Sequence, residues 1–218
     1  MSRAVVFDLD GTLIDSAPDI HASANRLMVE HGFAPFEPAE TRAFIGRGVP
    51  HFIACCLKAR GAAGRPALQA RMVHDFLAGY ESAVSLTTVY PGVPETLAAL
   101  AAMDLRLGIC TNKPEAPARA VLAHLRLTAH FDVVIGGDST AQRKPDPMPL
   151  RAAIAGLGAG DVVFVGDSEV DAETAARAGL PFALFTEGYH KGRLADLPHH
   201  AAFSDFVRLP EIVTDLLR

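Results

Sequence analysis

The chain has 218 residues, of which 50% are hydrophobic and 21% charged, and its formal net charge is −5. This length and apolar content predict one or two globular domains that need no disulfide or structural metal for stability. The acidic balance argues against a nucleic-acid-binding protein, because such proteins carry a basic stripe. No apolar run reaches the roughly 18 residues of a membrane span, and the N-terminus does not have the pattern of a signal peptide. We therefore expect a cytoplasmic protein that has no membrane partner and keeps its three cysteines reduced.

The first predicted element is a strand over Ala4–Phe7, a continuous apolar run typical of a strand buried on both faces. From about Ser16 to Ser85 the pattern changes to helical periodicity without a convincing strand. The predicted helices in this interval cover Ile20–Met28, Thr41–Ile45, Pro50–Arg60 and Ala67–Ser82. Gly32 supplies a stop signal for the first of them.

After this interval, short apolar runs alternate with helical patterns. The further predicted strands are Leu105–Cys110, Val133–Ile135, Val162–Val165 and Phe182–Phe185. The predicted helices are Pro94–Met103, Glu115–Leu125, Pro147–Ala155, Glu169–Ala178 and a final one near Leu209–Leu217. Such alternation predicts an α/β fold, with a doubly wound parallel sheet as a Rossmann-like core and an α-helical cap inserted after the first strand. We assign residues 1–15 and 88–218 to the core and residues 16–87 to the cap.

Two carboxylates follow the first predicted strand, in the segment Asp8-Leu9-Asp10-Gly11-Thr12. If the strand continues into this segment, its period of two turns Asp8 and Asp10 toward the same side. Two like charges at such close range are costly unless a cation or a shared proton relieves them. Ligands also bind at the carboxyl ends of parallel strands. By itself the segment is equally compatible with a solvated acidic turn in which Gly11 adopts a positive φ.

Polar residues also follow later strands. Thr111 and Asn112 come after one strand and offer a hydroxyl and an amide, both of which can hold phosphoryl oxygens. Lys144 precedes the proline-marked start of a helix, and Asp167 and Asp171 follow the Val-rich strand near residue 165. Each group also has a purely structural explanation, as a turn or as the acidic N-terminus of a helix.

Lysine is rare in this chain, because only 4 of its 20 Lys and Arg residues are lysine. Two of the four, Lys113 and Lys144, lie beside the polar strand ends. A compact ammonium and a forked guanidinium fit different sites. We therefore interpret Lys144 as a site residue, whereas chance placement explains Lys113 better.

Taken together and in this order, the four segments resemble the motifs of the haloacid dehalogenase superfamily of phosphatases. The motif residues are Asp8-Leu9-Asp10-Gly11-Thr12, Thr111, Lys144, and Gly166-Asp167 with Asp171. The helical interval resembles the small α-helical cap of that superfamily. Residues 44–50, 136–147 and 165–175 are similar to its phosphoglycolate phosphatase branch. This resemblance implies hydrolysis of a small phosphorylated organic acid or sugar phosphate, above all of 2-phosphoglycolate to glycolate and phosphate.

The resemblance also implies roles for the four aspartates. Asp8 would attack phosphorus and become an aspartyl-phosphate. Asp10 would protonate the leaving alkoxide and then deprotonate the hydrolytic water. Mg²⁺ would bind the side chains of Asp8 and Asp167, the main-chain carbonyl of Asp10 and waters that Asp171 orients.

For the substrate, the resemblance implies that Thr111, Asn112 and Lys144 receive the phosphoryl oxygens. The further residues that we expect at the substrate site are Gly11, Thr12 and Arg47. Arg47 lies between two glycines of the cap, so its guanidinium can approach and fork onto a small carboxylate. The alternative is an ordinary surface arginine between two cap helices.

Three other functions stay open. A phosphomutase similar to β-phosphoglucomutase would share the core and the cap, and a broad-specificity sugar-phosphate phosphatase would share the whole site. A phospho-acceptor signalling domain also uses Asp, Thr and Lys, but it is shorter, has no cap and carries its acceptor Asp in mid-chain. The sequence does not indicate an oligomeric state.

Overall fold

The computed structural model describes residues 2–218, which form eight strands, nine α-helices and three short 3₁₀ turns. The strands are β1 (Ser2–Phe7), β2 (Ile14–Asp15), β3 (Thr88–Val89), β4 (Arg106–Cys110), β5 (Val133–Ile135), β6 (Ala159–Gly166), β7 (Phe182–Phe185) and β8 (Ala201–Phe203). The helices are α1 (Ala17–Glu30), α2 (Pro38–Phe44), α3 (Val49–Ala59), α4 (Pro66–Tyr80), α5 (Val93–Ala102), α6 (Glu115–His124), α7 (Met148–Leu157), α8 (Glu169–Ala178) and α9 (Leu209–Leu216). None of the helices within residues 2–218 combines the length and the apolar character needed to cross a bilayer.

Six parallel strands form the central sheet, in the order β5-β4-β1-β6-β7-β8. β1 lies inside the sheet, and its residues Ala4–Phe7 are completely buried, as the continuous apolar run predicts. Val5 and Phe7 belong to a core with residues of α5, α6 and α9, whereas Ala4 and Val6 belong to a core with residues of α7 and α8. Helices therefore cover both faces of the sheet. The predicted doubly wound α/β fold is confirmed.

Helices α1–α4 form the predicted helical insert, and they have a hydrophobic core of their own. Each begins and ends within a few residues of its predicted bounds. The chain enters and leaves the insert through a two-stranded antiparallel ribbon, in which Ile14 pairs with Val89 and Asp15 with Thr88. Inside the insert, the buried Asp19 accepts a hydrogen bond of 2.6 Å from Thr87 Oγ1, which ties α1 to the returning chain. Strands of two residues are too short to show a period, so the sequence did not predict this ribbon.

The segment beyond Gly188 ends in strand β8 and helix α9, of which only α9 was predicted. β8 has three residues and lies at the edge of the sheet next to β7. The backbone N–H of His200 donates to Phe182 O at 2.9 Å, and its Nδ1 accepts from the Phe182 N–H at 3.1 Å. His200 thus joins the two strands.

Candidate active site

Three neighbouring strands bring the predicted polar residues together. β4, β1 and β6 lie side by side, and they end immediately before or next to Thr111, Asp8 and Asp167 respectively. Because the strands are parallel, these residues meet at one edge of the sheet, and all three are buried. The polar residues that follow β1, β4 and β6 therefore lie together at the carboxyl edge of the sheet, as predicted.

Asp8, Asp167 and Asp171 form a compact acidic cluster, in which one carboxylate oxygen of each lies within 4.8 Å of the others. Lys144, which is 2% exposed, places Nζ 2.6 Å from Asp171 Oδ1 and 2.9 Å from Asp8 Oδ1. The Asp8 contact is an ion pair without hydrogen-bond alignment, since Asp8 Oδ1 is buried and has no hydrogen-bond partner among the described residues. The cluster thus contains three carboxylates, and the Lys144 ammonium contacts only two of them, which leaves the cluster short of positive charge.

The pKa values of the cluster reflect this shortage. Burial, followed by the charge of Asp171, raises the pKa of Asp8 to about 7, although Lys144 acts in the opposite direction. Burial, followed by the charges of Asp171 and Asp8, raises the pKa of Asp167 well above its ordinary value. Burial lowers the pKa of Lys144, but the neighbouring carboxylates outweigh it and raise that pKa above its ordinary value. A buried group of oxygen ligands with too little positive charge can hold a metal ion.

Hydrogen bonds fix the orientation of Asp167. Thr12 Oγ1 donates to Asp167 Oδ1 at 2.6 Å, and the Tyr189 N–H donates to Asp167 Oδ2 at 2.6 Å. The hydroxyl of Thr12, a residue that we expected at the substrate, therefore orients a member of the acidic cluster. Donors on both oxygens leave the carboxylate little freedom to rotate.

Asp171 lies in the first turn of α8 and completes a capping box with Ser168. Its Oδ2 accepts from Ser168 Oγ at 2.5 Å and from the Ser168 N–H at 3.2 Å, while Oδ1 faces Lys144. A carboxylate at a helix N-terminus is favoured by the helix dipole. The structural and the functional explanations of the acidic helix start thus apply to the same residue.

Two glycines allow the chain to close around Asp167. Gly11 has a φ of 90°, and a Cβ there would lie 2.5 Å from Asp167 Oδ2. A Cβ on Gly188 would lie 2.3 Å from Asp167 Cβ. The structural reason for glycine at position 11 is therefore close approach as well as the positive φ.

Asp10 is held by Ser16, which no sequence pattern indicates, and by Lys113, whose position is better explained by chance on the sequence alone. Its Oδ1 accepts from Ser16 Oγ at 2.6 Å and lies 3.3 Å from Lys113 Nζ. Lys113 Nζ in turn donates to the hydroxyl of Tyr80 at 2.7 Å. Lys113 thus joins Asp10 to the end of α4, and its rarity as a lysine was the available signal. No local pattern pointed to Tyr80.

Two cavities meet at Asp8 and Asp10, which line both of them. The first lies under the helical insert and encloses an empty volume of about 470 Å³. Its other polar lining includes Thr111, Asn112 and Lys113, and its apolar lining consists of Ile20, Ile45, Val49, Phe52 and Phe76. The second is lined by Asp167, Ser168, Glu169, Tyr189 and Lys191, together with the exposed Arg47. Arg47 therefore faces a different cavity from Lys113.

Asn112 connects the insert to the core. Its side-chain amide donates to Gly46 O at 3.0 Å, in the loop after α2, and to Lys144 O at 3.0 Å. Both amide protons are thus used by backbone carbonyls. Asn112 Oδ1 is buried and has no hydrogen-bond partner within residues 2–218.

Tyr189 is a further residue that the sequence did not reveal, because the segment around it has no periodic pattern. Its hydroxyl donates to Asp15 Oδ1 at 2.6 Å and accepts from the N–H groups of Ser16 and Ala17 at 2.9 and 3.0 Å. Its backbone N–H holds Asp167. One residue thus links the acidic cluster to the point where the chain enters α1.

Comparisons with known proteins identify the family of this chain. The sequence profile of the haloacid dehalogenase-like hydrolase family matches residues 5–185. A protein of Cereibacter sphaeroides named phosphoglycolate phosphatase is 52% identical over 214 residues, which cover 98% of each chain. A protein of Rhodobacter capsulatus with the same name is 46% identical over 213 residues, covering 98% of this chain and 97% of the relative.

Solved structures give the same result for the fold. A crystal structure described as a predicted phosphoglycolate phosphatase from Haemophilus somnus superposes with a TM-score of 0.88 and 27% identity, and 97% of each chain is covered. The family profile spans well over half of this chain, and the relatives match it almost from end to end. The chain belongs to the haloacid dehalogenase-like hydrolase family.

Proposed function

We propose that this chain hydrolyses 2-phosphoglycolate to glycolate and phosphate, with Asp8 as the nucleophile. The observation that carries the proposal is the position of Asp8, which belongs to the acidic cluster and lies at a strand end where both cavities meet. The names of the relatives from Cereibacter sphaeroides and Rhodobacter capsulatus support the substrate.

In the first step, a carboxylate oxygen of Asp8 forms a bond to phosphorus while the bond between phosphorus and the glycolate oxygen breaks. Asp10 donates a proton to the departing alkoxide, which leaves as glycolate. In the second step, Asp10 takes a proton from water, whose oxygen attacks the phosphorus of the aspartyl-phosphate. Phosphate leaves, and the carboxylate of Asp8 is restored. Ser16 and Lys113 both contact Oδ1 of Asp10, which supports a fixed orientation of this acid.

Two residues would bind the phosphoryl oxygens as charge develops on them. Thr111 Oγ1 accepts from the Lys113 N–H at 3.2 Å, so its own proton remains available for donation. Lys144 lies beside Asp8 and supplies positive charge in a buried site, where its effect is strongest. Asn112 contributes indirectly, because its amide fixes the backbone of Lys144.

The residues present fit Mg²⁺, a hard cation that prefers oxygen ligands. The side chains of Asp8 and Asp167 and the main-chain carbonyl of Asp10 would hold it, with Asp171 orienting its waters. When bound, the ion supplies positive charge that lets an anionic nucleophile approach an anionic ester. The buried oxygen of Asp8 that lacks a hydrogen-bond partner supports this assignment.

Residues 16–87 would act as a cap over the core formed by residues 1–15 and 88–218. Ile45, Phe52 and Phe76 of the insert line the first cavity beside Asp8 and Asp10. Apolar side chains in this position exclude bulk water from the transfer step. Arg47 stays a candidate for substrate binding at the second cavity.

The test is phosphate release from a panel of phosphomonoesters with Mg²⁺ and with a chelator. We expect a pronounced preference for 2-phosphoglycolate, negligible turnover in chelator and recovery on addition of Mg²⁺. Comparable rates on sugar phosphates would contradict the proposed substrate. Turnover that survives exhaustive chelation would contradict the metal dependence.

A further inference from the structure

Lys113 is a buried cation whose contact with Asp10 leaves part of its hydrogen-bonding capacity unused. Its side chain is 4% exposed, and it follows Thr111 and Asn112 at the end of β4. Nζ donates to the Tyr80 hydroxyl at 2.7 Å and lies 3.3 Å from Asp10 Oδ1. An ammonium carries three protons, so one remains for a further acceptor.

The surroundings of this ammonium favour an anion. Among the described residues, Lys113 is the only Lys or Arg that lines the first cavity, whose walls are otherwise acidic, neutral polar or apolar. The Asp10 carboxylate at 3.3 Å and the Tyr80 hydroxyl at 2.7 Å stabilise the charged ammonium in this buried position. A charge-assisted hydrogen bond in a site with little water is stronger than one on the surface.

We propose that Lys113 binds the carboxylate of the substrate and is thereby a specificity-determining residue for anionic two-carbon phosphoesters. The inference rests on the proposed function, because it takes Asp10 as the acid that touches the leaving oxygen. In 2-phosphoglycolate, one methylene separates that oxygen from the carboxylate carbon. The cation that binds the carboxylate therefore has to lie within a few ångströms of Asp10, and Lys113 Nζ meets this condition.

The alternative cation for the carboxylate is Arg47. It lines the second cavity, together with Asp167 and Glu169, and it is exposed. Asp8 and Asp10 line both cavities, but the second cavity adds those two further carboxylates along with the exposed cations Arg47 and Lys191. The first cavity adds no further carboxylate, and its buried Lys113 ammonium has a free proton. The structure therefore favours Lys113 over Arg47.

A binding measurement separates this role from any effect of Lys113 on catalysis by Asp10. The probes are two competitive inhibitors that cannot be hydrolysed, 3-phosphonopropionate and propylphosphonate, which differ in the carboxylate. The wild-type enzyme should bind 3-phosphonopropionate more tightly. In Lys113→Met this advantage should fall by about tenfold to a hundredfold, the range for a hydrogen bond between charged groups. The hydrolysis rates of 2-phosphoglycolate and ethyl phosphate should show the same selective loss.

Three further variants are compared with Lys113→Met by the same ratio of affinities for the two inhibitors. Lys58→Met changes an exposed lysine on α3 and should keep the wild-type inhibitor ratio. Arg47→Ala should weaken both inhibitors equally or not at all. Tyr80→Phe removes one partner of the Lys113 ammonium, so it should reduce the ratio less than Lys113→Met does. It also tests the proposal if Lys113→Met fails to fold.

The outcomes distinguish the inference from the proposed function. In one outcome, the wild-type enzyme prefers 2-phosphoglycolate while Lys113→Met keeps the wild-type ratio of the two inhibitor affinities. In that case Lys113 does not bind the carboxylate, although the proposed function stands. A ratio that collapses in Arg47→Ala instead would also overturn the inference. If the wild-type enzyme hydrolyses ethyl phosphate as well as 2-phosphoglycolate, the proposed substrate itself is wrong, and the inference falls with it.

Discussion

The stability of the core should depend on Lys144, because it is the ammonium shared by the acidic cluster. Lys144→Met keeps a flexible chain of similar volume and removes the ammonium, with both its charge and its hydrogen bond to Asp171. Nζ lies 2.6 Å from Asp171 Oδ1 and 2.9 Å from Asp8 Oδ1, in a site that is almost fully buried. Removing one partner of a buried ion pair costs about 3–5 kcal/mol. For a chain of this length, such a loss lowers Tm by about 6–20 °C.

The assay is thermal unfolding in the presence of a chelator, at pH 9 and at pH 6. At both pH values, Lys58→Met serves as the control for loss of an exposed lysine. Because burial raises the pKa of Asp8 to about 7, a proton on Asp8 relieves part of the repulsion at the lower pH. The loss of stability in Lys144→Met, relative to wild type, should therefore be largest at pH 9 and smaller at pH 6. A variant within about 1 kcal/mol of wild type at pH 9, the size of a typical surface or mild substitution, would refute the reasoning.

Three further predictions follow from the same contacts. Asp10→Asn should lower turnover by about 10²–10⁴-fold, as expected for loss of a general acid, while the Tm increase caused by Mg²⁺ stays the same; near-normal turnover would refute the assigned role. The raised pKa values of Asp8 and Asp167 mean that these two groups hold protons in the folded chain that they have released in the unfolded chain, so without Mg²⁺ their contribution to stability falls as pH rises from 3.8 through the folded pKa of Asp8 at about 7. The Tm increase caused by saturating Mg²⁺ should therefore grow with pH through this window, and an increase that does not vary with pH would contradict it. Gly188→Ala places a Cβ 2.3 Å from Asp167 Cβ and should cost about 1–3 kcal/mol and weaken Mg²⁺ binding, whereas Gly192→Ala, whose Cβ meets only Glu169 Oε1 at 3.3 Å, should do neither.

Much of the fold was predictable because the strands of the sheet are buried on both faces. The run Ala4–Phe7 is apolar throughout for that reason, and the helices that cover the sheet show a clear period of 3.6 residues. The ribbon of β2 and β3 was not predictable, because pairs of two residues have no period. β8 reads Ala-Ala-Phe and lies at the edge of the sheet, where little burial imposes a pattern.

The site was predictable where it depends on strand ends. Asp8, Thr111 and Asp167 each follow an apolar run, so a parallel sheet brings them to one edge. Contacts between distant elements were not predictable. Lys113 contacts the hydroxyl of Tyr80 on α4, which lies 33 residues away in the sequence. The hydroxyl of Tyr189 accepts hydrogen bonds from the N–H groups of Ser16 and Ala17, which lie 173 and 172 residues away.

The most direct test of the central claim is mass spectrometry of the enzyme after rapid acid quenching during turnover of 2-phosphoglycolate with Mg²⁺. We expect one added phosphoryl group, located on Asp8, that accumulates during turnover and disappears when the substrate is exhausted. Asp8→Ala should carry no phosphoryl group and release no phosphate. Phosphorylation of any other residue, or continued hydrolysis by Asp8→Ala, would contradict the account.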